Sequence, residues 1–241
     1  MTGRSLDRVA LATLNNARWC DAVCRAHGLR IQLTHELWIC HDPPPRFHSR
    51  ATTLGPVAAV EGALRSLLVR RPEPASSIKD GFCRIDLADL GFTELFRAEW
   101  LWHPPAADGP TSLDWERVRT DADLRAWDAV WEGGPQPDGQ PQQFPASLLD
   151  DPEIAFLAGR RDGVIVVVAA LNRTGPVVGL SNAVGADAAS DDGWADHATV
   201  AARVFPGLPV VGYERGAHLD AARRHGFTSS GPLRVWVPPP S

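Results

Sequence analysis

A mixed α/β fold built on mixed central sheets, in two lobes, is what the sequence predicts, and three observations predict it. Stretches with apolar residues at helical spacing alternate with short strand-like runs along the whole chain. A three-strand meander, IAFLAGRRDGVIVVVAALNRTGPVVGLSNAV, sits between helical stretches, with Arg161-Asp162-Gly163 and Arg173-Thr174-Gly175 as its turns. The chain also twice writes Gly-Phe-Thr, then a short run holding Trp, then a proline stop: GFTELFRAEWLWHPP from Gly91 and GFTSSGPLRVWVPPP from Gly226. That repetition favours two copies of one unit that have drifted apart over chance recurrence.

The elements follow in order. Leu6 to His27 carries Leu6, Val9, Ala10, Leu14, Ala17, Cys20, Val23 and Cys24 at helical spacing, with Gly28 as the stop. LRIQLTHELWIC alternates apolar and polar residues and reads as a strand or hairpin before Pro43-Pro44-Pro45. HSRATTL is a further candidate strand, and Val57 to Val69 a helix ending at Arg70-Arg71. GFCRIDL is expected as a strand, ADLGF as a turn or short helix, and FRAEWLW as a closing strand. The best linker is Pro104 to Asp114, which sets a divergent first lobe over 1–105, a linker over 106–113 and a second domain over 114–241.

In the second domain DWERVR is a strand and DADLRAWDAVW a helix, with Thr120 or Asp121 as its N-cap. GGPQPDGQPQQ is a flexible loop by composition, and FPASLLDDPE a short helix. After the meander come a helix over DDGWADHATVAARVF, capped by Ser190 or Asp191, a buried strand LPVVGYE, a helix AHLDAARRHGF stopped by Gly226, and the strand GPLRVWV. Val166, Val168, Leu180, Val210 and Trp236 are the expected buried sheet positions. His197 and His218 are read as solvent-facing, and most of the nine tryptophans as core or lobe interface.

Composition narrows the function classes. The length of 241 residues allows one large domain or two small ones with a real core. Hydrophobic residues at 44% and charged residues at 22% weigh against wholesale disorder. A net charge of −5 weighs against a broad nucleic-acid-binding surface and leaves room only for a local basic groove. The longest apolar run, Val164 to Leu171, is strand-sized, and the opening MTGRSLDRVALATLNNARWC lacks a signal-peptide core, so a soluble, cytoplasmic protein is expected. Cys20, Cys24, Cys40 and Cys83 show no C-x2-C knuckle and read as reduced, structural residues, with no metal site assigned and zinc a minor alternative. There is no P-loop, no G-x-S-x-G and no zinc-protease motif.

The order strand, helix, helix, three meandering strands, helix, strand, helix, strand resembles the GNAT acyltransferase fold over about residues 111 to 241. The run LPVVGYERGAHLDAARRHGFTSSGPLRVWV and the hairpin FLAGRRDGVIVVVAALN carry the likeness. GFCRIDLADLGFTELFRAEWLW looks like the same closing segment in abbreviated form, so the first lobe is read as a second, degraded GNAT-like unit. The resemblance implies an acyl group moved from acetyl-CoA or another acyl-CoA to an amine of a small molecule or protein. It implies a donor held where two parallel strands splay apart, with its pyrophosphate on backbone N–H groups at the next helix start, where unpaired donors and the helix dipole favour an anion.

Carried onto this chain, those strands are VVGLSNAV and VVGYE. Ser181 and Asn182 fall where the family places acyl-contacting backbone, or are a plain strand terminus. Asn182, Ala183, Val184, Gly185 and Ala186 would line the donor, and Arg223 would touch a CoA phosphate, unless it and its neighbours Arg224 and His225 only complement the helix dipole. Two departures stand out. The family's Q/R-x-x-G-x-G/A loop is replaced by AVGADAASDDGWADH, where Asp187, Asp191 and Asp192 would compete with phosphate. The family's acid tyrosine, four residues before the helix-ending glycine, is Ala222 here. The one tyrosine, Tyr213, stands beside Glu214 at a strand end; the pair could supply acid–base chemistry, or Tyr213 could simply close the core. Two rival functions stay open: a binding or scaffold protein that has lost catalysis, and a transferase drawing on aminoacyl-tRNA or a carrier-protein thioester.

Overall fold

The computed structural model describes residues 3–55, 58–70, 77–134, 142–185 and 192–239. Residues 135–141 of the loop expected over Gly133 to Gln143, and the caps Ser190 and Asp191, lie outside them. The chain divides into two units, Met1–Trp100 with Ser229–Ser241, and Leu101–Thr228.

The first unit opens with α1 (Gly3–Ala26), which stops at Gly28, whose φ of 74° suits a residue without a Cβ. Then come β1 (Ile31–Leu33), β2 (Leu37–Cys40), β3 (Ala51–Thr53), α2 (Ala58–Arg70) and β4 (Ile78–Asp80). A 3-10 turn over Ala88–Leu90 leads into β5 (Thr93–His103), which begins in this unit and ends in the other. The unit is completed by the last strand of the chain, β11 (Thr228–Val237), whose Arg234, Val235 and Trp236 pair with Asp80, Lys79 and Ile78 of β4. The strand order is β1-β2-β3-β4-β11, with β5 next to β11. Pairing is antiparallel except between β3 and β4, which run parallel.

Period-two alternation lets one strand serve two faces. Along β2, Leu37 and Ile39 pack with Val60 and Leu64 of α2, while Trp38 and Cys40 pack with Ala17, Cys20 and Cys24 of α1. Because both faces are covered, all four β2 residues are buried. Two buried polar groups pair across the core: Trp38 Nε1 donates to Asp21 at 3.0 Å, and Lys79 Nζ to Asn16 at 2.6 Å.

GFCRIDL, expected as a strand, is not one. The strand is Ile78–Asp80, just before it, and the chain then curls around its own carboxylate. Asp80 accepts from the backbone N–H of Phe82 at 3.3 Å and of Ile85 at 2.8 Å, and Cys83 takes a left-handed φ of 54°.

The second unit holds β6 (Asp114–Arg117), α3 (Asp121–Glu132), a 3-10 helix over Ala146–Asp150, β7 (Ile154–Arg161), β8 (Val164–Thr174), β9 (Val177–Gly185), α4 (Asp192–Val204), β10 (Val210–Glu214) and α5 (Gly216–Arg224). Thr120 caps α3, its hydroxyl accepting from Asp123 N at 3.1 Å. Asp162 and Gly163, at φ of 52° and 80°, form the two-residue turn between β7 and β8, whose twist such a pair of positive angles matches. The order is β10-β9-β8-β7-β6, antiparallel except for the parallel pair β9 and β10.

Val168, Leu180 and Val210 are buried here, and Trp236 in the first unit, as expected. Val166 is only half-buried. Gly159 pairs with Val167 and Arg160 with Ile165, so Val166 is the extra residue of a bulge and is turned out of the ladder. His197 is also not solvent-facing: it is 4% exposed, wedged between the rings of Trp115 and Trp194. No helix among the described residues is long and apolar enough to cross a membrane.

Asp196 of α4 is buried and fastens the segment that leads into β6. Its carboxylate accepts from Ser112 N at 2.8 Å, Ser112 Oγ at 3.0 Å, Leu113 N at 3.0 Å and Trp115 Nε1 at 2.8 Å. Asp196→Ala leaves those donors facing apolar surroundings, and urea denaturation should show a loss of about 3 kcal/mol or more. A loss near 0.5 kcal/mol would mean that water reaches the donors.

Candidate functional site

The site is built where β9 and β10 stop pairing. Their ladder joins Val178 to Val210 and Gly179 to Val211, and ends there. β9 nevertheless runs on to Gly185 and β10 to Glu214. Gly212 marks the point of divergence: a Cβ on it would lie 2.8 Å from the carbonyl oxygen of Leu180, so only glycine lets the strands approach so closely before parting.

β9 leaves β10 while staying on β8, and a bulge shows where it bends. Val168 pairs with Val184 and Ala170 with Ser181, so Asn182 and Ala183 together face the single residue Ala169. Asn182 takes a φ of 53°, the left-handed conformation that asparagine tolerates better than most residues. Beyond Gly179 and Val211 the two strands therefore run on without a shared ladder.

Ser181, Asn182, Ala183, Val184 and Gly185 all lie on this parted stretch of β9 and are half-buried. Tyr213 and Glu214 lie on the parted end of β10, also half-buried. These seven sequence-predicted positions thus fall on the two strand ends flanking one gap. Ala186, Asp187 and Asp191 lie outside the described residues. Arg223 is exposed on the last turn of α5, 3.8 Å from Asp220.

The electrostatics single out Glu214. Burial pushes its carboxyl up to about 7, opposed by the backbone N–H and the charge of Arg215. Asp128 on α3 is a second perturbed carboxyl, which sequence reasoning did not single out. Burial raises it to about 6, and it accepts from Gln143 N at 3.4 Å. The signal for it was present: an acid on the same helix face as Leu124, Trp127 and Trp131.

Elsewhere the titratable groups are structural. Cys20, Cys24 and Cys40 are free and buried, and no metal-binding group of three or more ligand side chains occurs among the described residues. Burial raises Cys20, while the hydrogen bond between Cys24 and Cys40 raises the first and lowers the second.

Burial lowers His197 to about 4, and both its ring nitrogens are buried without a hydrogen-bond partner. Because the unfolded chain protonates near 6.5, it takes up this proton first. Stability tied to neutral His197 is complete above pH 6.5 and drains as pH falls from 6.5 towards 4, by up to roughly 3 kcal/mol. Denaturant titrations at pH 5 and pH 7 should show a smaller difference for His197→Phe than for the parent. Equal differences would place the proton uptake elsewhere.

The sequence matches no family model and none of the curated proteins. Its likeness to solved structures is carried by shape. A GCN5-related N-acetyltransferase from Kribbella flavida superposes with a TM-score of 0.60 at 19% identity, over 93% of this chain and 96% of that one. A conserved protein of unknown function from Staphylococcus epidermidis gives 0.59 at 13% identity, over 85% and 91%. A GNAT-family protein from Novosphingobium aromaticivorans gives 0.56 at 13% identity, over 95% and 99%. With its paired and then parted parallel strands, and with neighbours of this kind along nearly its whole length, the chain has the GNAT fold.

Proposed function

We propose that this protein is an acyltransferase that moves an acyl group from a thioester, acetyl-CoA or another acyl-CoA, to the amine of a small molecule or protein. The observation that carries the reading is the parting of β9 and β10 beyond Gly179 and Val211, with a bulge at Asn182 and a carboxyl of raised affinity for protons at Glu214. Strand edges that run on past the end of their shared ladder are what the amide-bearing arm of such a thioester would bind, in the manner of an added strand. Asn182 to Ala186 would line that arm, and Arg223 would offer positive charge to a phosphate.

Glu214 takes a proton from the acceptor's ammonium, and the freed amine attacks the thioester carbonyl. Backbone N–H groups near Ser181 and Asn182 stabilise the oxyanion. The C–S bond then breaks and the leaving thiolate takes a proton from Tyr213. The attacking nitrogen sheds its second proton to solvent as the amide forms, and the Tyr213 phenolate recovers a proton from solvent, so the one net proton released is the one Glu214 took. Neighbouring residues on a strand point to opposite faces of the sheet, so Tyr213 and Glu214 would act from opposite faces, one towards the departing thiol and one towards the incoming amine.

Two lobes of common origin, over 1–105 and 114–241 with a linker over 106–113, complete the reading. Support comes from the single parallel pair in each unit, and from Gly91 and Gly226, at φ of 79° and 88°, each followed by Phe-Thr and a strand.

Calorimetric titration with acetyl-CoA, followed by thiol-release assays across a panel of amines, tests the function. Binding and amine-dependent thiol release are expected. Absence of binding at about millimolar acetyl-CoA overturns the CoA donor, and transfer from an aminoacyl-tRNA or carrier-protein thioester instead would reassign it. Glu214 must be ionised to act, so kcat/KM should rise with pH through about 7 and level off. Glu214→Gln should lower it about a hundredfold or more and remove that limb; an unchanged profile would exclude Glu214 as the base. Asn182→Gly should keep the bulge and the activity, whereas Asn182→Val should strain the backbone by about 1–3 kcal/mol and lose activity.

A further inference from the structure

The two parallel strand pairs end in opposite ways, and on that contrast, together with the donor reading just given, we infer that the chain holds a single acyl-donor site, in the second unit, and that the counterpart in the first unit is sealed. In the first unit β3 and β4 pair Ala51 with Ile78 and Thr52 with Lys79, the same two-step parallel ladder that joins β9 to β10. Beyond it neither strand runs on: β3 ends at Thr53 and β4 at Asp80.

Side chains occupy what would be the gap. The Thr53 hydroxyl accepts from Gly81 N at 2.9 Å and lies 3.5 Å from the Asp80 carboxylate, stitching the strand ends together. Trp100 Nε1 donates to the Gly81 carbonyl at 2.7 Å, so both backbone groups of Gly81 are taken. The next free amides, those of Phe82 and Ile85, are held by Asp80. Thr13 of α1 fills the remaining space: a Cβ on Gly81 would lie 2.4 Å from its Cγ2 and 2.9 Å from the Thr53 carbonyl oxygen. A ligand that binds by strand addition needs free backbone groups and room beside them, and at Gly81 among the described residues both are taken.

Hydrogen exchange on the full chain, with and without acetyl-CoA, tests this together with the binding stoichiometry. One acetyl-CoA per chain is expected, with added protection confined to the second unit and centred on 179–186 and 211–215. The Gly81 amide should be slow in the free protein and about tenfold faster in Thr53→Val, a near-isosteric change that removes its acceptor. Two acetyl-CoA per chain, or ligand protection at 51–54 and 79–82, overturns the inference while leaving the proposed activity intact. If acetyl-CoA does not bind at all, the donor reading falls, and the seal is judged on Gly81 alone: rapid exchange in the parent chain overturns it, and slow exchange that Thr53→Val releases upholds it.

Discussion

A parallel strand pair that stops halfway leaves backbone donors and acceptors that something must satisfy, and that obligation organises the protein. Buried N–H and C=O groups without partners are costly, so a ladder that ends early is resolved by side chains, by water or by a ligand. Both units carry such a ladder, two residue pairs long. In the first, Thr53, Asp80 and Trp100 take up the groups that follow it. In the second the strands continue and diverge, with Gly212 permitting the last close approach and the bulge at Asn182 turning β9 away.

What surrounds the second pair holds that divergence in place. β9 remains fully zipped to β8 from Val177 to Leu180 and resumes after its bulge at Val184 and Gly185. β8 is in turn paired with β7 from Val164 to Asn172, apart from the bulged Val166. The parted end of β9 is therefore backed by sheet on one side, so the gap needs no contribution from a loose loop. α4 is fixed independently, by the Asp196 carboxylate below and by Trp194 packed against Phe227 at 5.5 Å above.

Much of this arrangement was legible in the sequence, for physical reasons that differ from element to element. Asp162-Gly163 announced its turn because few other residue pairs take two positive φ angles, and Thr120 announced its helix because a hydroxyl there satisfies a free N–H. The strands flanking the gap were legible as apolar runs ending in polar residues, SNAVG and YE. The bulges were not, since an extra residue leaves the alternation nearly unchanged while moving Val166 out of the ladder. His197 was misread because a histidine counts as polar in any periodicity, yet its ring fills space between two tryptophans. GFCRIDL was misread because its composition suits a strand, and the deciding influence was Asp80, one residue upstream. That β11 completes the first unit was beyond sequence reasoning, because nothing local in GPLRVWV says which strand it will pair with.

The position of Glu214 follows from the same geometry that opens the gap. Glu214 is the last residue of β10, three positions past the end of the ladder with β9, and α5 begins two residues later. Its carboxyl loses more solvation on burial than one nearby arginine and one backbone N–H can replace, and its affinity for a proton rises to about 7. A fully solvated glutamate would stay ionised and would be too weak a base to draw a proton from an ammonium near neutral pH; a deeper one would hold its proton throughout. The half-buried end of a strand that has lost its neighbour lies between those limits.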